Sequence, residues 1–339
     1  MKTNPTTKAI LWVVIPLLIG GLGFWGLYRE TDWRELGQTL SSEVRYPVLL
    51  FGLMSNLCRG LRWELLVAPL ATDGAPPRRI NTICTVLGSY TVNMGIPRSG
   101  EVWRCVELER REQIPFAQLF GTLIVDRLVD VLMLGLILVG IVASSTDFFR
   151  DYFAQHPEVL EALVAFARSP WMFVLIALGL GSVALVAWLL RYRPEGRVAH
   201  FLRQLWQGGM SIRQMPHRGR FLLLTALIWV GYFCYFYFAL FAFPATEHLP
   251  LSVAGIAFAL SSMSVIVPVQ AGMGAWHAAV IATFTTFGMA LQPAQDFAFI
   301  VHTAQTLWIT LCGLIAILAL PIINRHYVRQ RFATEHTTP

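Results

Sequence analysis

Six runs of about twenty apolar residues, at roughly 9–28, 47–70, 116–143, 171–190, 221–243 and 297–321, set the strongest limit on what this chain can become. A run of that length fits the hydrocarbon core of a bilayer as a helix. Only 14% of the 339 residues are charged, against about 25% in an ordinary soluble domain. The reading is a single all-α, polytopic membrane helix bundle with about 6–8 spans and no soluble domain. The first run, Ala9–Leu27, follows Lys2 and Lys8. It is long and lacks a small-residue cleavage site, so it is expected to be a retained first span rather than a signal peptide.

Two apolar regions do not follow this rule, because Gly and Pro break them. One is Asn93-Met94-Gly95-Ile96-Pro97-Arg98-Ser99-Gly100-Glu101. The other is Pro268-Val269-Gln270-Ala271-Gly272-Met273-Gly274-Ala275-Trp276-His277. Lipid offers no hydrogen bonds, so interrupted backbone at membrane depth survives only where protein or a water-filled cavity satisfies it. A pair of such breaks in the two halves of a membrane protein points to a midplane ligand site.

Charge then orients the chain. The loop 191–220 holds seven arginines against Glu195, which places it in the cytoplasm. The tail arginines 325, 329 and 331 and the Arg78-Arg79 pair belong on the same side, as does the N-terminus. These assignments agree only if 81–96 enters from the cytoplasm and returns, as one arm of a re-entrant hairpin. Residues 251–290 form either an equivalent hairpin from the outside or two full spans. Segments of about 45–143 and 220–322 then read as inverted half-repeats in a cytoplasmic (inner) membrane protein.

Charged residues inside apolar runs are the candidate site. Arg59 and Arg62 are three apart, on one helical face, and each costs roughly 2.5–3.5 kcal/mol at a helix centre on insertion scales. They need acidic partners, an anionic ligand, or a depth near the headgroups. Asp126 and Asp130 share a face, with Arg127 in i,i+3 reach of Asp130. Pairing of Arg59 or Arg62 with Asp126 or Asp130 would cancel charge across helices, as a structural network or as part of a site. At the first break, Ser99 is the expected N-cap with Glu101 in the first turn. The segment is either a capped turn or an anion pocket in which free N–H groups, Arg98 and Arg104 meet a lipid phosphate. At the second break, Gly272 and Gly274 permit close backbone approach. His277 either binds a headgroup or is simply hydrogen-bonded.

Other chemistry is not signalled. The five scattered cysteines read as buried apolar residues. There is no His-Glu-x-x-His and no zinc spacing, so no metal or cofactor is expected, and no nucleic-acid partner. The aromatic run from Trp229 to Phe238 reads as packing and interfacial anchoring. No nucleotide-binding loop is present, so ATP-driven work by this chain alone is not expected.

At Arg59-x-x-Arg62-Trp63, Asn93, Pro97-Arg98-Ser99-Gly100-Glu101-x-x-Arg104, Gly121-Thr122-x-x-x-Asp126-Arg127-x-x-Asp130 and Gly272-x-Gly274, the chain resembles the integral-membrane part of lysylphosphatidylglycerol synthase. The likeness runs over roughly 10–320. It implies translocation or handling of an anionic or aminoacylated phospholipid, or of a lipid-linked headgroup. Asp126 stands where Glu is expected, and His277 where the better-known branch has an acidic residue. The synthase's aminoacyl-transfer domain has no counterpart here, so the chain is not expected to make lysyl lipid. The resemblance leaves three readings: a flippase, an accessory subunit that positions a lipid-modifying enzyme, and an intramembrane lipid enzyme.

Overall fold

The structure is a computed structural model that describes residues 46–71, 75–144, 196–215, 217–266 and 272–327, with Val269 and scattered positions between 146 and 191. The expected first span lies outside the described residues, and the expected span at 171–190 falls largely outside them. Nine α-helices and no strands occur among the described residues. They are α1 (Leu49–Val67), α2 (Arg79–Gly95), α3 (Ser99–Glu112), α4 (Phe116–Ser144), α5 (Arg197–Gln214), α6 (Arg218–Leu240), α7 (Leu251–Ser262), α8 (Ala275–Thr286) and α9 (Leu291–Ile323). α6 and α9 are each long and apolar enough to cross a membrane.

The first break makes a tight hairpin of α2 and α3. Ile96 precedes Pro97 and is extended (φ −131°, ψ 120°), because proline excludes the helical conformation from the residue before it. Arg98 then takes the left-handed conformation at φ 66°, which reverses the chain. Ser99 is not the N-cap expected of it. It is the first residue of α3, and its hydroxyl donates back to the Ile96 carbonyl at 2.6 Å. The cap comes from the opposite arm, where Asn93 Oδ1 accepts the Gly100 N–H at 2.8 Å. The arms approach so closely that a Cβ on Gly100 would lie 1.9 Å from the Ser89 carbonyl oxygen. At the open end of the hairpin, Glu112 Oε1 accepts from Asn81 Nδ2 at 2.6 Å and from the Arg78 N–H at 3.1 Å. The hairpin is therefore pinned at both ends.

Glycines set the other close crossings. Gly313 of α9 faces the Leu87 carbonyl of α2, where a Cβ would come within 2.4 Å, and Thr91 Oγ1 donates to the Thr310 carbonyl at 2.8 Å. Gly208 of α5 and Gly121 of α4 fit against each other's backbones, with Cβ positions 1.9 Å from the Gln118 carbonyl and 2.1 Å from the Leu205 carbonyl. α1 packs against α6, where Gly231 leaves room for Ser55. One apolar core joins α6 to α9 around Phe236, Phe258, Phe284 and Phe297. A second joins α1, α3, α4 and α6 around Trp63, Leu66, Leu119 and Ile228. The charged residues of α1, α3 and α4 face one another beside this second core.

The second break leads from α7 through a 3₁₀ turn (Met263–Ile266) into α8. Pro268, Gln270 and Ala271 lie outside the described residues. Gly272 and Gly274 have φ of 75° and 82°, a region L side chains rarely occupy. α7 and α8 are twelve residues each.

Candidate functional site

Asn56, Arg59 and Arg62 recur every third residue on α1 and so form one polar stripe. α4 presents Asp126 and Asp130 to it. Arg62 Nη2 lies 2.6 Å from Asp126 Oδ1 and 2.8 Å from Asp130 Oδ1, while its Nε also donates to Asp126 Oδ1 at 3.0 Å. Arg59 pairs with Asp130 and stands 3.8 Å from Asp126. The cross-helix pairing expected from the sequence is thus present, and each arginine engages both aspartates.

The hairpin adds a third side. Arg104 of α3 reaches Asp126 Oδ2 at 3.4 Å and lies 4.5 Å over the Trp63 ring, a cation–π contact that offsets part of the cost of burying it. Trp63 is held by its Nε1–H, which donates to Thr122 at 2.9 Å. Glu101, in the first turn of α3, pairs with Arg127 at 2.6 Å. Arg127 also reaches Asp130 at 3.4 Å. Among the described residues, four guanidinium groups and three carboxylates therefore form one connected cluster, with one more positive than negative group.

Burial in the cluster is graded. The side chains of Arg62 and Asp126 are fully buried, whereas Asp130, Glu101 and Arg127 are 13%, 19% and 33% exposed. The cluster thus has a dry floor and an open rim. Among the described residues, the buried Nε donors of Arg59, Arg104 and Arg127 have no acceptor, although buried donors in folded proteins are nearly always satisfied. Excess positive charge and spare N–H donors together suit an anion with several acceptor oxygens.

Of the candidates from the sequence, Arg59, Arg62, Glu101, Arg104, Asp126, Arg127 and Asp130 meet in this cluster. Asn93 and Gly100 do not line it; they close the hairpin. Arg98 is exposed at the turn, while Arg104 is buried against Asp126, so the two do not form the anion pocket expected at the break. The Gly100 amide expected to serve that pocket is already bonded to Asn93. Gly272, Gly274 and His277 sit at the second break. His277 is buried, its Nδ1 accepts the Gly274 N–H at 3.3 Å, and its ring lies 4.5 Å from that of His302.

Three further residues contribute that the sequence reading does not place in the site. Asn56 accepts from the Tyr232 hydroxyl at 2.8 Å, Tyr232 lies 6.0 Å from the Arg59 guanidinium, and Thr225 accepts from Arg62 at 3.5 Å. The three-residue spacing from Asn56 to Arg59 and Arg62 is a signal that could have found the first. Nothing local marks Tyr232 among its aromatic neighbours.

A family model described as Lysylphosphatidylglycerol synthase TM region matches residues 13–313. No curated protein and no solved structure matches the chain.

Proposed function

The chain belongs to the lysylphosphatidylglycerol synthase TM region family, and from that premise we propose that it is a lipid translocator whose guanidinium–carboxylate cluster takes an anionic headgroup inside the membrane. One observation carries this reading: among the described residues, three buried guanidinium N–H donors lack acceptors in a cluster with one more positive than negative group. A cluster serving stability alone gains nothing from buried donors left without acceptors, since each such group costs about 1–3 kcal/mol. A phosphodiester supplies the missing negative charge and the acceptor oxygens. The exposed rim of Glu101, Arg127 and Asp130 is where it enters, with its acyl chains left in lipid.

The helix lengths support the wider architecture. α7 and α8 rise only about 18 Å each, short of a hydrocarbon core of about 30 Å. They are read as a second re-entrant hairpin matching α2–α3, within a bundle of 6–8 spans. The halves 45–143 and 220–322 act as inverted repeats. In each, the span after the hairpin packs on the other half's hairpin: α9 on α2, and α4 on α7.

The test is translocation in proteoliposomes of purified protein with headgroup-labelled phospholipids. Anionic label is expected to move faster than zwitterionic label. Arg127→Gln removes a charge-assisted donor worth about 1.5–3 kcal/mol, so it is expected to slow anionic transport by about tenfold or more. Wild-type rates equal to those of empty vesicles, or equal for all headgroups, would overturn the reading.

A further inference from the structure

The amphipathic helix α5 contains arginines at 197, 203 and 213 and no acidic residue. Arg218 and Arg220 follow at the start of α6, and Arg218 donates to the Arg213 carbonyl at 3.1 Å. None of these five guanidiniums is in an ion pair among the described residues. Unpaired cations in such number require an external source of negative charge or full solvation.

The two sides of α5 differ. One is committed to α4 through Gly208, whose Cβ position would overlap the Gln118 carbonyl. The other carries Arg203, Trp206, Met210 and Arg213 at i, i+3, i+7 and i+10, a single helical stripe. Trp206 is 67% exposed. With the opposite side of α5 packed on α4, an exposed stripe of Arg and Trp suits the membrane–water interface, where an indole anchors at the headgroup boundary and long cationic side chains reach the phosphates.

Chain continuity fixes the depth. Only residues 215–217 separate α5 from α6, which is long and apolar enough to cross the bilayer. The C-terminal end of α5 therefore lies at the level where α6 enters the membrane. We propose that α5 is an interfacial helix seated on the anionic phospholipid headgroups of that leaflet, with Arg203 and Arg213 on phosphates and Trp206 at the acyl boundary. Its glycine contact with α4 then gathers anionic lipid beside the helix that carries Asp126.

The test uses the full chain in nanodiscs of mixed phosphatidylglycerol and phosphatidylcholine, with bromine near the headgroup end of the acyl chains of one lipid or the other. The Trp206 signal is the difference in fluorescence between wild type and Trp206→Phe. Two arginines at an interface enrich anionic lipid on the order of fivefold or more. Brominated phosphatidylglycerol is therefore expected to quench Trp206 more strongly than brominated phosphatidylcholine, and Arg203→Gln with Arg213→Gln to abolish the preference. Equal quenching by the two lipids in wild type would overturn the proposal, as would no quenching by either, the result for a face turned to water or to another protein. The wild-type comparison decides without depending on how the double variant folds, and it needs no transport activity.

Discussion

Asp126→Asn is expected to destabilise the folded protein by about 3–5 kcal/mol, the range for breaking a buried ion pair from one side. The Asp126 side chain is fully buried and faces three guanidiniums, at 2.6 Å (Arg62), 3.4 Å (Arg104) and 3.8 Å (Arg59). Asparagine keeps the shape but removes the charge that Arg104 depends on, since Asp126 is the one carboxylate within ion-pair distance of it among the described residues. Thermal unfolding of the purified protein in detergent measures the loss. Adding Arg104→Met should restore part of it, because an apolar chain over the Trp63 ring no longer strands a charge. Unchanged stability in the single variant would mean that the cluster is not the electrostatic keystone of α1, α3 and α4.

Gly100→Ala is the second large effect. Its Cβ would fall 1.9 Å from the Ser89 carbonyl oxygen and 2.9 Å from Asn93 Oδ1. The first is backbone and cannot rotate aside, so the hairpin arms must part and the Asn93 cap is lost. Overpacking of this kind costs about 1–3 kcal/mol or more, and the missing cap about a further 1 kcal/mol. Parting the arms also moves Glu101 and Arg104, so translocation should fall with stability. Gly95→Ala is the control: it lies in the same hairpin, has nothing within 4 Å of its Cβ position, and should be neutral. Equal effects of the two substitutions would show that the break tolerates bulk and that close approach of the arms is not required.

Spacing and hydropathy carry a definite part of this arrangement. Pairing of Arg59 or Arg62 with Asp126 or Asp130 is one of the options legible in the sequence, because charges in apolar helices seek opposite charges and i,i+3 and i,i+4 spacing puts each set on one face of its helix; which charges pair is not legible there. The limits of α4 and α6 followed from apolar length. The role of Gly100 could not be read, because a glycine after a break looks like a turn residue until the carbonyl it faces is known. Asn93 and Ser99 show the same limit: local preference favours serine as the cap, but the hairpin brings a better acceptor from seven residues upstream. Proximity in sequence groups Arg104 with Arg98. The helical rotation of α3 instead turns it inward to Asp126, while the left-handed turn leaves Arg98 outside. The helix α5 lies inside what reads only as an arginine-rich loop, because Arg, Gln and Gly interrupt its apolar residues and its contact with α4 rests on glycine.

If the cluster's surplus positive charge binds an anionic headgroup, lipid retention must respond to the charge of its rim. Native mass spectrometry of the purified protein can compare retention of phosphatidylglycerol and phosphatidylcholine by wild type, Arg127→Gln and Glu101→Gln. Arg127 and Glu101 are 2.6 Å apart and both partly exposed, so either substitution breaks the same ion pair. Opposite signs are expected: Arg127→Gln removes positive charge and weakens phosphatidylglycerol retention, whereas Glu101→Gln leaves Arg127 with Asp130 alone and strengthens it, with phosphatidylcholine unaffected. If both variants shift retention in the same direction, or neither shifts it, the ion pair serves the fold alone and the headgroup site is not in this cluster.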